Sequence, residues 1–347
     1  MPKAGYRLAL FATCLAAVVV LLGAYTRLTH AGLGCPDWPG CYGFIGVPMS
    51  EHKQALAEAR FPEAPLEVAK GWYEMIHRYF AGALGLVIIA LAWQAVRTRE
   101  HEGQPLKLPL AILALVVVQA AFGMWTVTLK LWPQVVTAHL LGGFATLSLL
   151  ALLTLRLSGR FAARRWPTSL RVAAALGLIV VVVQVALGGW VSSNYAAVAC
   201  VDLPTCHGQW WPAMDMGKGF HLTQHIGPNY LGGQLDSDAR TAIHMTHRFG
   251  ALVVIGVLLV LAWRLYVHGL KRLCGLLLAL LILQVGLGIS NVLLHLPLAV
   301  AVAHNGGGAL LLLGLVLINF QIRALPAPVS LAQLTRPLST NGQALTS

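Results

Sequence analysis

The chain has 347 residues, of which 57% are apolar and 10% charged, and its formal net charge is +12. Ordinary soluble domains carry about 25% charged residues, so the composition excludes a soluble enzyme with a large aqueous core. The basic excess is scattered between long apolar runs, a distribution that orients membrane spans and does not form a nucleic-acid footprint. No nucleic-acid partner is expected.

In chain order, eight stretches approach the roughly 20 apolar residues needed to cross a bilayer: 7–27, 72–96, 108–129, 134–156, 170–192, 241–266, 272–293 and 298–322. The first follows Lys3 and Arg7 but runs to Gly23 without a small-residue cleavage site, so it reads as a retained span and not a signal peptide. An even number of crossings returns both termini to one side. That side collects fifteen of the 24 Lys and Arg residues, and of the 12 acids only Glu100 and Glu102. The excess predicts cytoplasmic termini, with the long segments 28–71 and 193–240 outside. The tail from Ala324 is polar and contains proline, and is expected to be disordered.

An internal repeat organises the chain. Gly23 to Cys41 matches Gly188 to Cys206 with both cysteines in register at an offset of 165, and Gln119, Gly123 and His139 recur as Gln284, Gly288 and His304. His77-Arg78 opens the second span as His247-Arg248 opens the sixth. The expected fold is therefore an all-α polytopic membrane protein of eight transmembrane helices, arranged as two four-helix bundles. Each half has an even number of spans, so the halves keep the same orientation and should relate by a pseudo-two-fold axis along the membrane normal. Residues 1–165 and 166–323 form the expected halves, and 324–347 the tail.

His77, His139, His247 and His304 sit at similar depth near the outer ends of their spans. A single intramembrane histidine can be a hydrogen-bonded core residue, but four placed at one depth by a repeat require partners. Two per half suit the axial positions of a haem iron. Zinc and copper usually draw three or four close ligands. Arg78 and Arg248 are placed either to meet haem propionates or to reach lipid headgroups.

The repeat is broken at one telling position. Glu74 lies three residues before His77 on the same helix face, whereas the equivalent residue before His247 is His244. Glu74 either complements the positive helix end or marks one half as reactive and the other as electron-transferring. Cys35 and Cys41, and likewise Cys200 and Cys206, are spaced for local disulfides in an oxidising outer compartment. They serve either as staples or in redox or haem handling. Cys14 and Cys274 read as buried thiols.

Taken together, Glu74-Met75-Ile76-His77-Arg78, His139, His247-Arg248, His304, the loop Cys35-Pro36-Asp37-Trp38-Pro39-Gly40-Cys41 and the repeat resemble the haem A synthase family, over about residues 7–322. With both cysteine pairs present, the chain resembles that family's doubly paired class. The resemblance implies an enzyme of the bacterial plasma membrane, with its long loops periplasmic or extracellular, that oxidises the C8 methyl of haem O to a formyl group. It also implies a haem b cofactor on His247 and His304, and a site for substrate haem on His77 and His139. Glu74 would act beside the substrate. A haem O-forming farnesyltransferase and terminal oxidase assembly factors are implied partners, with the electron acceptor unspecified. A diheme cytochrome exchanging electrons with quinone, or a haem transport protein, would use the same histidines without needing Glu74.

Overall fold

The structure is a computed structural model and describes residues 3–101, 103–159 and 166–323. The tail from Ala324 lies outside the described residues, as do Glu102, Arg160, Arg164, Arg165 and Arg336, which entered the orientation argument.

Among the described residues the chain is helical, and eight helices are long and apolar enough to cross a membrane. They are α1 (Tyr6–Leu28), α3 (Val68–Arg97), α4 (Lys107–Thr128), α5 (Pro133–Ser158), α6 (Thr168–Ser193), α8 (Ser237–Val267), α9 (Lys271–Leu293) and α10 (Leu298–Arg323). Two short helices, α2 (Glu51–Arg60) and α7 (Met216–Gly219), lie in the long connecting segments. Each expected span is present. α3 and α8 begin about one turn earlier than hydropathy suggests, because their first turns pack under loops and not in lipid. Gly71 of α3, for instance, faces Val47 and the Gly34 carbonyl. At α8 the start is set by Asp236, whose side chain accepts a hydrogen bond from Ala239 N at 2.9 Å.

Helices α1, α5, α6 and α10 form the centre: α1 packs on α5 and α10, and α6 packs on α10 and α5. Around them, α3 packs on α1, α4 on α5, α8 on α6 and α9 on α10. Close approach at α1 follows from a stripe of fully covered small residues, Ala9, Ala12 and Ala16. On the same helix the Thr13 hydroxyl lies 3.0 Å from that of Thr154 in α5. The apolar centre is completed by Leu147, Leu150 and Leu153 of α5, Leu258 and Leu261 of α8, and Leu315 of α10. Cys274 is buried as expected. Cys14 is exposed instead, because it projects away from the alanine stripe.

The second long segment reaches across to the first half. Trp132 Nε1 donates to the Gln224 carbonyl at 3.0 Å, and Gln134 Nε2 to the Leu222 carbonyl at 3.0 Å. Tyr230 N donates to the Lys130 carbonyl at 3.0 Å.

Candidate functional site

Each of the four histidines lies against a glycine of the neighbouring helix. His77 on α3 meets Gly23 of α1, His139 on α5 meets Gly123 of α4, His247 on α8 meets Gly188 of α6, and His304 on α10 meets Gly288 of α9. A Cβ on those glycines would stand 2.9, 3.3, 3.3 and 3.2 Å from the ring Cε1. A larger residue would push the ring out of place.

The helices that carry His77 and His139, α3 and α5, each pack on α1 and α4, and those that carry His247 and His304, α8 and α10, each pack on α6 and α9. Two of the four histidines thus lie on helices of each half. All four histidines are half-buried residues. Nδ1 of His77, His139 and His304 is buried without a hydrogen-bond partner, while Nδ1 of His247 lies 3.1 Å from Gln184 Nε2. Two glycine-backed imidazoles in each half, three of the four with an unpartnered Nδ1, are a donor set that would suit a haem iron.

Glu74 is buried at 5% exposure. One carboxylate oxygen accepts from Cys35 N at 2.9 Å and the other pairs with Arg78 Nη2 at 2.5 Å. The carboxylate thus ties the first disulfide loop to α3, one turn outward of His77 on the same face. At the equivalent place His244 is buried too, and its Nδ1 has no partner.

Both cysteine pairs are joined, Cys35 to Cys41 and Cys200 to Cys206, with Cα separations of 4.7 and 5.0 Å. The two loops repeat contact by contact. Asp37 accepts from the backbone N–H groups of Tyr42 and Gly43, and Asp202 from those of His207 and Gly208. The Thr205 hydroxyl and the Gly208 and His207 N–H groups hold the Asp202 carboxyl down at about 2. Tyr42-Gly43 and His207-Gly208 are left-handed, with φ of 55°, 77°, 55° and 71°. That geometry closes the bridges Cys41 to Phe44 and Cys206 to Gln209. Repeat-equivalent Met75 and Met245 are buried beneath the two loops.

Arg78 and Arg248 are committed to these loops. Arg78 Nη1 donates to the carbonyls of Asp37, Pro39 and Gly40 at 3.1, 3.3 and 2.6 Å. Arg248 donates to those of Thr205, Cys200 and Asp202 at 2.9, 3.1 and 2.9 Å. Sequence spacing did not reveal this clasp, since three carbonyls of a folded loop leave no residue signature. Gln184 was also missed, although a lone amide in the apolar run of α6 is a signal in itself. Between the halves, Arg27 Nη2 donates to the Ser192 carbonyl at 2.5 Å, and its guanidinium lies 4.1 Å from the Tyr195 ring centre. His30 stacks on Tyr195 with centroids 5.4 Å apart.

Eight apolar helices beneath disulfide-closed, arginine-clasped loops define a multi-pass membrane protein. Residues 6–316 match the COX15-CtaA family, described as cytochrome oxidase assembly protein, and the chain belongs to that family. It is 51% identical over 306 residues to the heme A synthase of Shewanella oneidensis, covering 87% of this chain and 92% of that one. Heme A synthases of Chelativorans sp. and Mesorhizobium japonicum are each 30% identical, over 330 and 322 residues, covering 85% of this chain and 84% of each relative.

Proposed function

We propose that this protein is the enzyme that oxidises the C8 methyl of haem O to a formyl group, giving haem A by two successive hydroxylations and loss of water. The observation that carries the reading is the pair of glycine-backed histidines in each half, in a chain with 51% identity to a heme A synthase. We assign haem O to His77 and His139 in residues 1–165, and a resident haem b to His247 and His304 in residues 166–323. The resident haem, when bound, supplies one-electron transfer.

The chain's own groups do the remainder. His77 and His139 orient the substrate through its iron, with Gly23 and Gly123 keeping the rings in register. Glu74 lies a turn outward of His77 and presents the only carboxylate among the described residues at this level of α3. It stabilises positive charge developing at the methyl carbon, or accepts the proton of attacking water. Arg78 and Arg248 close the outer loops over the sites, and their remaining N–H groups are assigned to the propionate edges. The Cys35–Cys41 and Cys200–Cys206 loops face the oxidising side, and both termini the cytoplasm. A pseudo-two-fold axis between the halves is supported by contacts between repeat equivalents, Arg27 with Ser192 and His30 with Tyr195. A haem O-forming farnesyltransferase and terminal oxidase assembly factors are the proposed protein partners.

The test is pigment extraction after the membrane-embedded protein is incubated with haem O in air, in membranes that retain their own electron acceptors. Haem A is expected to appear. Recovery of unaltered haem O from a well-folded, haem-loaded protein would favour electron transfer or haem transport instead.

A further inference from the structure

Each histidine is faced by a helix that carries a second residue four positions before the glycine. In three of the four cases that residue is a glutamine: Gln119 before Gly123, Gln184 before Gly188 and Gln284 before Gly288. On the histidine's own helix, the residue three positions on is glycine in the same three cases, Gly142, Gly250 and Gly307. The glutamine fills the space this glycine leaves. A Cβ there would come within 1.7 Å of Gln119 Nε2, 2.2 Å of Gln184 Oε1 and 2.4 Å of Gln284 Oε1. Two helices are thus interlocked by Gln-x3-Gly on one and His-x2-Gly on the other.

The fourth case departs on both sides. Val19 precedes Gly23, and Phe80 follows His77. Neither side chain can hydrogen-bond, and His77 Nδ1 is buried without a partner. In the second half the amides reach the rings. Gln184 Nε2 lies 3.1 Å from His247 Nδ1 and donates to the His247 carbonyl at 2.9 Å, and Gln284 Nε2 lies 3.4 Å from His304 Nε2.

We propose that one such amide sets how firmly an iron is held: Gln184 is the positioning residue that locks His247 through its second ring nitrogen, and His77, which faces no amide, is the axial ligand that lets go. The proposal rests on the assignment of haem iron to the two histidine pairs. A hydrogen bond to the second ring nitrogen fixes ring rotation and raises ligand basicity. With Nε2 on iron, His247 Nδ1 keeps its proton. Gln184 Oε1, which has no other partner, receives that proton's hydrogen bond after a half-turn of the amide. The Val19 side chain offers His77 no amide, and only its backbone meets the ring. The division is chemically apt, because a substrate haem must enter and leave while a cofactor haem must stay.

The experiment uses the full chain in detergent, loaded with haem and reduced. Carbon monoxide is the probe, since it binds only iron that has an open or displaceable axial position. In the unaltered protein the carbon monoxide difference spectrum is expected to come from the haem of the His77–His139 pair alone. Gln184→Val should make the resident haem reactive to carbon monoxide and weaken its retention about 10- to 100-fold, the cost of losing an outer partner of a metal ligand. Gln184→Glu should restore retention, because a carboxylate accepts from Nδ1–H. In the other half, Val19→Gln with Phe80→Gly should suppress the carbon monoxide reaction and slow haem exchange by a similar factor. If that pair fails to fold, Val19→Gln alone supplies the comparison.

Unchanged carbon monoxide reactivity and retention in Gln184→Val would overturn the proposal, and so would unchanged reactivity in the Val19 variant. A full haem complement in both His247→Ala and His304→Ala would instead overturn the assignment on which it rests.

Discussion

Replacing Glu74 by glutamine keeps the side chain's shape and its capacity to accept from Cys35 N, but removes the charge opposite Arg78. The pair is nearly dry, with side-chain exposures of 13% for Arg78 and 6% for Glu74. Removing one member of a buried pair costs about 3–5 kcal/mol, because the surviving charge is stranded. Here Arg78 retains the carbonyls of Asp37, Pro39 and Gly40, so the cost should be smaller, about 2–3 kcal/mol. It falls on attachment of the first loop and not on the bundle, so the loop should open roughly 30- to 150-fold more often. Trapping of Cys35 and Cys41 with a maleimide under mild reductant measures that opening. Haem A formation should fall about 10²-fold if the carboxylate also serves as a base, with haem O or a hydroxylated intermediate accumulating while resident haem persists. Arg78→Gln separates the two effects, since it gives up the three carbonyls as well as the ion pair and should loosen the loop at least as much, while losing at least about tenfold less turnover. Equal turnover losses in the two variants, with the double variant no worse, would make Glu74 a loop anchor and refute its proposed chemistry.

His247→Ala and His304→Ala should each lose the low-spin b-type spectrum, because one axial position is left open; His77→Ala and His139→Ala should keep it and accumulate haem O. Closing so short a loop contributes less than the roughly 3 kcal/mol assigned to a 15-residue loop, so Cys35→Ser should leave the bundle folded in a thermal melt. Lost activity with retained haem b would give the pair a role beyond stapling, and Cys200→Ser should affect turnover less. The Asp202 carboxyl is held at about 2, below the ordinary value of about 3.9. Its hold on the second loop should therefore be complete above about pH 4 and fade as the pH falls through about 2. Asp202→Ala should abolish that pH dependence in trapping of Cys200 and Cys206 with an acid-tolerant phosphine reductant.

What could be read from the sequence follows from what lipid and duplication impose. Spans were legible because a bilayer forbids long polar interruptions, and the four histidines drew notice because the repeat carries them at matching positions. The early starts of α3 and α8 escaped because their first turns lie under loops, where hydropathy carries no information. Asp236 was nonetheless a readable cap. The arginine clasps escaped because Arg78 and Arg248 bind backbone carbonyls, which every sequence supplies. Glu74 was placed correctly on the His77 face, but its bond to Cys35 N joins residues 39 positions apart and depends on the loop fold.

The least legible contacts are those between repeat equivalents. Arg27 meets Ser192 and His30 meets Tyr195, each at the offset of 165 that separates the halves. Under the proposed axis, only residues beside it can touch their own counterparts, so any substitution there alters both sides of one contact. At these positions the copies have diverged to Arg against Ser and His against Tyr. Farther from the axis they have diverged to Val19 against Gln184 and Glu74 against His244. Those changes sit next to His77 and His247, and under the proposed assignment they are the differences that two sites descended from one would need for one half to release a product haem and the other to retain a cofactor haem.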